Sequence, residues 1–165
     1  MKKYDHIIAI DPDVDKSGVA YLVPKTRKLS VKDYTFPVLL DYLQGAKRTI
    51  DKKNESLIVV VEAGWLSKAN WHLRRYDNIR VASAKGNSTG RNHEVGRKIV
   101  EMCQHYELEV LEHFPLRKTW KGADGKITRE ELAYFTGFNK RSNQEMRDAA
   151  LLAWAFAGLP IRAKC

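Results

Sequence analysis

Two stretches, "HIIAID" at 6–11 and "LIVVVE" at 57–62, are continuous apolar runs that each finish on an acid. Runs of that length predict strands covered on both faces of a sheet. Between them, "GVAYLV" (18–23) and "KLSVKDY" (28–34) are shorter and nearer to alternation, with "PKTR" as a hairpin-like connection. The chain therefore opens with three strands in a meander. After Pro37, "VLLDYLQGAKR" sets Leu39, Leu43 and Ala46 at helical spacing. That is a crossover long enough to lay the 57–62 strand parallel to the first.

Farther along, Val95, Ile99, Met102 or Cys103, and Tyr106 recur every three to four residues and predict a helix over 91–106, with a short strand "LEVLEH" from 108. The polar stretch "KGNSTGR" at 85–91 reads as a loop capping that helix. It lacks the Gly-Lys-Ser/Thr ending of a nucleotide phosphate loop, although its backbone N–H groups suit contact with a DNA phosphate. Thr128 and Glu131 form a capping box that opens a helix in "REELAYFTGF". A last helix, "NQEMRDAALLAWAFAG", ends in Gly158 and Pro160, which supply termination chemistry. Three strands, then alternating helices and strands, then a closing helix pair predict one α/β domain over 1–165, without repeat, low-complexity segment or linker.

Composition narrows the partners. A chain of 165 residues, 44% hydrophobic, is large enough for one real core. Its net charge of +9 attracts polyanions, with nucleic acid the commonest and an anionic membrane surface the rival. No run approaches the roughly 18 apolar residues of a membrane span, and "MKKYDH" enters a strand without the apolar core of a signal peptide, so the expected compartment is the cytoplasm. Cys103 and Cys165 suit neither a disulfide framework nor a metal-ligand spacing and read as reduced thiols.

The chemistry lies in the carboxylates. Asp11 and Glu62 close the two buried strands, at the sheet edge where α/β proteins bind ligands, and adjoin if those strands are parallel neighbours. Glu145 and Asp148 stand three apart on the closing helix and share one face, about 60° from each other. Two carboxylates about 4.5 Å apart repel by roughly 3–4 kcal/mol at an effective dielectric of 20, so four together require cations or protons. All-oxygen ligands suit Mg²⁺ or Mn²⁺ rather than Zn²⁺, and two such ions about 4 Å apart clamp a phosphodiester for in-line attack by water. Plainer readings compete. Asp13 and Asp15 suit turn chemistry, and Glu145 suits the positive end of its helix. An EF-hand is excluded because Lys16 stands at the glycine position and Leu22 at the twelfth.

Lys68, Arg74, Arg75, Arg80, Lys85, Arg91, Arg97 and Lys98 are interleaved with Trp65, Trp71 and Tyr76, a mixture that suits backbone tracking and base stacking, although a charge run is usually a solvated face. From these come the expected DNA contacts Trp65, Lys68, Trp71, Arg74, Arg75, Lys85 and Arg91. Arg117, Lys118, Lys121 and Lys126 form a second patch suited to phosphate, where a lysine can stabilise the charge of a scissile group. The histidines show no ligand spacing.

The motifs "AIDPD…SGVAYL", "VVVEAGW" and "NQEMRDAALLAWAF" resemble the RuvC-type Holliday junction resolvases of the ribonuclease H-like superfamily. The resemblance runs over nearly the whole chain. It implies a ribonuclease H-like fold: a central mixed five-stranded sheet, three antiparallel strands plus two parallel, flanked by helices. It also implies that Asp11, Glu62, Glu145 and Asp148 are the metal-binding acids, that Trp65 matches an aromatic implicated in opening the junction, and that Lys118 or Lys121 assists catalysis. Asp13 stands where that family usually has glycine, Glu145 where Asp is common, and 65–88 is long, so the likeness is to a divergent member, of the phage-borne sort.

The expected activity is thus an endodeoxyribonuclease that resolves four-way junctions as a homodimer with two Mg²⁺ per site, Mn²⁺ substituting, and leaves a 5′-phosphate. Two rivals share its features: a ribonuclease H-type enzyme acting on RNA–DNA hybrids, and a catalytically silent junction-binding module. A sugar kinase or actin-like ATPase needs a second lobe for which 165 residues leave no room.

Overall fold

The computed structural model describes residues 2–67 and 78–162. Along the chain come β1 (His6–Asp11), β2 (Ser17–Val23), β3 (Lys28–Tyr34), α1 (Phe36–Lys53), β4 (Leu57–Glu62), a 3₁₀ turn (Gly64–Leu66), α2 (Ile79–His105), β5 (Val110–His113), a second 3₁₀ turn (Ala123–Gly125), α3 (Arg129–Thr136) and α4 (Gln144–Phe156). The strands form one sheet in the order β3-β2-β1-β4-β5. β1, β2 and β3 pair antiparallel, while β4 runs parallel to β1 and β5 parallel to β4. This is the mixed sheet expected from the sequence, three antiparallel strands plus two parallel.

The unbroken apolar runs are explained by cover on both faces. Because side chains alternate along a strand, Ile7, Ala9, Ile58 and Val60 turn to one face and pack with α3 and α4, including Leu132, Leu152 and Trp154. Ile8, Ile10, Val59 and Val61 turn to the other and pack on Leu39 and Leu43 of α1 and on Ile99 and Cys103 of α2. Burial pushes the Cys103 thiol up to about 12, consistent with a reduced packing residue. No described helix is long and apolar enough to cross a membrane.

The main departure from expectation is α2, which begins at Ile79 rather than at 91, so that 85–91 is helical and not a loop. Asn78 caps it, its side chain accepting from the Val81 N–H at 2.9 Å. Gly86 and Gly90 each cost about 1 kcal/mol relative to alanine without breaking the helix. The buried residues of α2 begin only at Gly96, so its first turns carry no apolar period to reveal them. The expected offer of free N–H groups by 85–91 to a phosphate also falls, since the helix uses them internally. Two smaller corrections concern ends. β5 starts at Val110 because the Leu108 N–H still bonds the Cys103 carbonyl at 2.9 Å, and α3 stops at Thr136, before Gly137 in the left-handed region at φ 74°.

Candidate active site

Parallel pairing of β1 with β4 sets Ile10 opposite Val61, so Asp11 and Glu62 leave the sheet side by side, one strand spacing of about 4.8 Å apart. On its other side Asp11 pairs with Gly18 of β2. A Cβ at that glycine would lie 2.0 Å from the Glu145 carbonyl oxygen, so only glycine lets the first turn of α4 rest there. That approach carries Glu145 and Asp148 over the sheet edge. Asn143 starts the helix by accepting from the Met146 N–H at 2.9 Å, and its amide donates to Asp33 Oδ2 at 3.0 Å. Gln144 Nε2 donates to Asp148 Oδ1 at 2.7 Å and orients that carboxylate.

Asp11, Glu62 and Asp148 each sense neighbouring acids. Burial, followed by the charges of Glu62, Asp148 and Glu145, raises the Asp11 carboxyl well above its ordinary value. Burial and Asp148 push Glu62 up to about 7, against the pull of Lys118 and Lys126. Asp148 is also raised, chiefly by burial, although the Gln144 hydrogen bond and both lysines oppose this. These are oxygen donors that repel one another at the mouth of a cleft, and the set fits a hard divalent cation. Among the described residues no three Asp, Glu, His or Cys side chains close into a ready-made ion cage. The acids share a field rather than fixed coordination.

The cleft has a volume of about 560 Å³. Asp11, Glu62, Lys118 and Lys126 line its charged end, Thr89, Asn92 and His93 of α2 form a polar wall, and Pro115 and Leu116 form a lip. A small hollow next to it joins Glu62 to Asp148 past Arg117, Lys118 and Lys126. Both lysines come from the irregular segment between β5 and α3, which is folded back on itself. The Trp120 N–H bonds the Gly125 carbonyl at 2.9 Å, and the Gly122 N–H bonds that of Lys126 at 3.0 Å. The buried Glu131 side chain ties the segment down, accepting from the N–H groups of Lys121 at 3.1 Å and Thr128 at 3.0 Å.

Trp65 borders the cleft but is held beneath α2. Its indole N–H donates to Glu112 Oε1 at 3.1 Å, the Arg97 guanidinium lies 5.5 Å from its ring centre, and His93 meets it edge-on at 6.1 Å. Gly96 permits this, because a Cβ there would sit 2.4 Å from the indole ring. Asp13 performs the expected turn chemistry, its Oδ1 accepting from the N–H of Asp15 at 2.9 Å. Its Oδ2 also accepts from Asn92 Nδ2 at 3.3 Å, while Asn92 Oδ1 accepts from the Val14 N–H at 3.0 Å. The turn after Asp11 is thereby latched to α2.

Of the residues expected at the site, Asp11, Glu62 and Lys118 line the cleft, Asp148 lines the adjoining hollow, and Glu145 lines neither, although its charge reaches Asp11 and Asp148. Lys121 does not line the cleft. Lys126 does, and the sequence patch that contained it had no way to rank it. Arg117 borders the small hollow, while Lys85 and Arg91 are exposed on α2. Lys68, Trp71, Arg74 and Arg75 lie outside the described residues. Asn92 and His93 fall within the helix expected over 91–106 but carried no spacing signal that singled them out, and Thr89 lies in the part of α2 that read as a loop.

No family model matches the chain, and no curated protein does. Among solved structures, it is similar to T. thermophilus RuvC in complex with Holliday junction substrate, with a TM-score of 0.43 and 13% identity, covering 93% of this chain and 96% of that one. It is also similar to the Fowlpox virus resolvase in complex with substrate Holliday junction DNA, with a TM-score of 0.48 and 10% identity, covering 93% and 97%.

Proposed function

We propose that this chain is a metal-dependent endodeoxyribonuclease that resolves four-way DNA junctions by paired phosphodiester hydrolysis. The observation that carries the reading is the meeting of four carboxylates, from β1, β4 and α4, with two lysines at one sheet edge beside an open cleft. A cluster whose acids raise one another's pKa is unfavourable without cations, and the cations it suits are those used for phosphoryl chemistry. Asp11, Glu62, Glu145 and Asp148 would hold Mg²⁺ or Mn²⁺, which when bound supplies Lewis-acid activation of water and neutralises phosphate charge. The chain's own groups do the rest. Lys118 and Lys126 face the cleft and stabilise the extra negative charge that builds on the phosphate during attack. Their charge reaches Glu62 and Asp148, which favours them over Lys121 as the assisting lysine. Water oxygen bonds to phosphorus, the bond to the 3′ oxygen breaks, and that oxygen takes a proton, leaving a 5′-phosphate and a 3′-hydroxyl. A homodimer would put two such sites about a two-fold axis, matching a junction that must be cut on two opposed strands.

The test is incubation of the purified protein with labelled four-way junction, flap, duplex and RNA–DNA hybrid, with Mg²⁺, Mn²⁺ or EDTA. Paired symmetric nicks in the junction, dependent on metal and ending in 5′-phosphate, are expected. Preferential cutting of hybrid would replace the reading with ribonuclease H-type activity, and tight junction binding without any cutting would reduce it to a binding module.

A further inference from the structure

The turn from α3 to α4, residues 137–143, lies outside the cleft, and its chemistry is not explained by the catalytic cluster. Its tip carries Lys140 and Arg141, both exposed and neither making a hydrogen bond or ion pair among the described residues. Flexible surface cations are ordinarily solvated, but this pair sits on a braced backbone. Arg129 Nε donates to the Asn139 carbonyl at 3.0 Å, reinforced by its Nη2. Arg147 Nη1 donates to the Ser142 carbonyl at 2.7 Å from the other side. Phe138 is buried in the core, and the Asn143 side chain is tied to Asp33 at 3.0 Å. The two braces are themselves cations whose hydrogen bonds go to carbonyl and amide oxygens, so the turn concentrates four positive charges with no carboxylate partner among the described residues.

Placement supplies the second argument. Asp33, to which Asn143 is tied, pairs with Gly18, and Gly18 with Asp11, so this contact at the foot of the turn stands two strand spacings, about 10 Å, from Asp11 along the same sheet edge. That is about three base-pair steps of B-DNA at 3.4 Å each. Because the backbone of the tip is already braced, only the two side chains have ordering entropy left to lose when they bind phosphate.

We propose that the α3–α4 turn is a second DNA contact, in which Lys140 and Arg141 hold two backbone phosphates of the strand that runs from the scissile position across β2 and β3. This rests on the nuclease reading. It assigns the β3 side of the site to an outgoing duplex arm, opposite the α2 wall.

The experiment measures junction binding in EDTA against salt concentration for the wild type, K140A/R141A, K140E/R141E and the control K52A/K53A, whose lysines lie in the last turn of α1. Each lost phosphate contact lowers the slope of log K against log salt by about 0.9, so the alanine pair is expected to lower it by about 1.8, and the charge reversal to weaken binding further. The control should keep the wild-type slope. An unchanged slope in K140A/R141A, or an equal fall in K52A/K53A that reports only net charge, overturns the contact while leaving the nuclease reading intact. A wild type that binds no junction overturns both.

Discussion

Glu131 is a buried carboxylate held chiefly by hydrogen bonds from Thr128 and the Lys121 N–H, and its replacement by alanine tests how the site's lysines are held. One oxygen accepts from the Lys121 N–H at 3.1 Å, and the other from the Thr128 N–H and the Thr128 hydroxyl, each at 3.0 Å. In return, Thr128 Oγ1 accepts from the Glu131 N–H at 3.2 Å, completing the capping box. Alanine removes the box, worth about 1 kcal/mol, and strands at least one N–H in a part-buried position, worth about 1–3 kcal/mol. The expected loss is therefore about 2–4 kcal/mol in urea unfolding, and glutamine, which retains an acceptor oxygen, should lose less than alanine. Burial alone would raise the pKa of this carboxyl, but the bonds from Thr128 and Lys121 outweigh it and hold it below the ordinary value. A depressed carboxylate stabilises the fold above its unfolded pKa, and that contribution disappears as pH falls through the folded value. The alanine variant should accordingly lose part of the wild type's sensitivity to acid. Because the same carboxylate anchors the segment that carries Lys118 and Lys126, the nicking rate at saturating junction should fall in E131A and partly recover in E131Q. A stability change below about 0.5 kcal/mol in E131A would refute the claim that this side chain organises the segment.

Asp11→Asn and Asp148→Asn should each lower nicking by at least about a thousandfold while junction binding in EDTA persists or tightens, because repulsion of phosphate falls; a variant that still cuts at the wild-type rate removes that residue from the site. Glu62 is raised from 4.5 to about 7, so its ionisation opposes folding: the protein is favoured below pH 4.5 and loses up to about 3 kcal/mol as pH rises through 7. Thermal melts in EDTA should show that decline, Glu62→Gln should flatten it, and Mg²⁺ should stabilise the wild type more than the variant; identical profiles would contradict the shared field. Gly18→Ala forces a Cβ to within 2.0 Å of the Glu145 carbonyl, so α4 must shift off the sheet edge. Metal-induced stabilisation should weaken together with thermal stability, and a variant that melts and binds Mg²⁺ like the wild type would show that the close approach is dispensable.

Much of this architecture was legible in the chain because burial on two faces writes a strong pattern. After His6, β1 is apolar up to its terminal acid, β4 is apolar at every position before its own, and an acid at the end of such a strand has few structural explanations, so Asp11 and Glu62 stood out. The capping box at Thr128, which marked α3, and the apolar face of α4 are local signals of the same kind, and the second placed Glu145 and Asp148 on one helix. Wherever side chains meet solvent the pattern vanishes. The first turns of α2 are exposed, so the helix was expected only from 91 and its segment 85–91 read as a loop.

Local sequence thus determined which segments form the sheet and its closing helix, because each of those choices depends on residues a few positions apart. Only the tertiary structure decided which of them meet. Glu145 reaches Asp11 through the missing side chain of Gly18, and Asp13 reaches Asn92 across 79 positions of chain. Lys126 rather than Lys121 faces the cleft because the segment between β5 and α3 folds back upon Glu131. An irregular loop has no period from which the direction of a side chain can be read, and a pKa raised by neighbours exists only once the fold has made them neighbours.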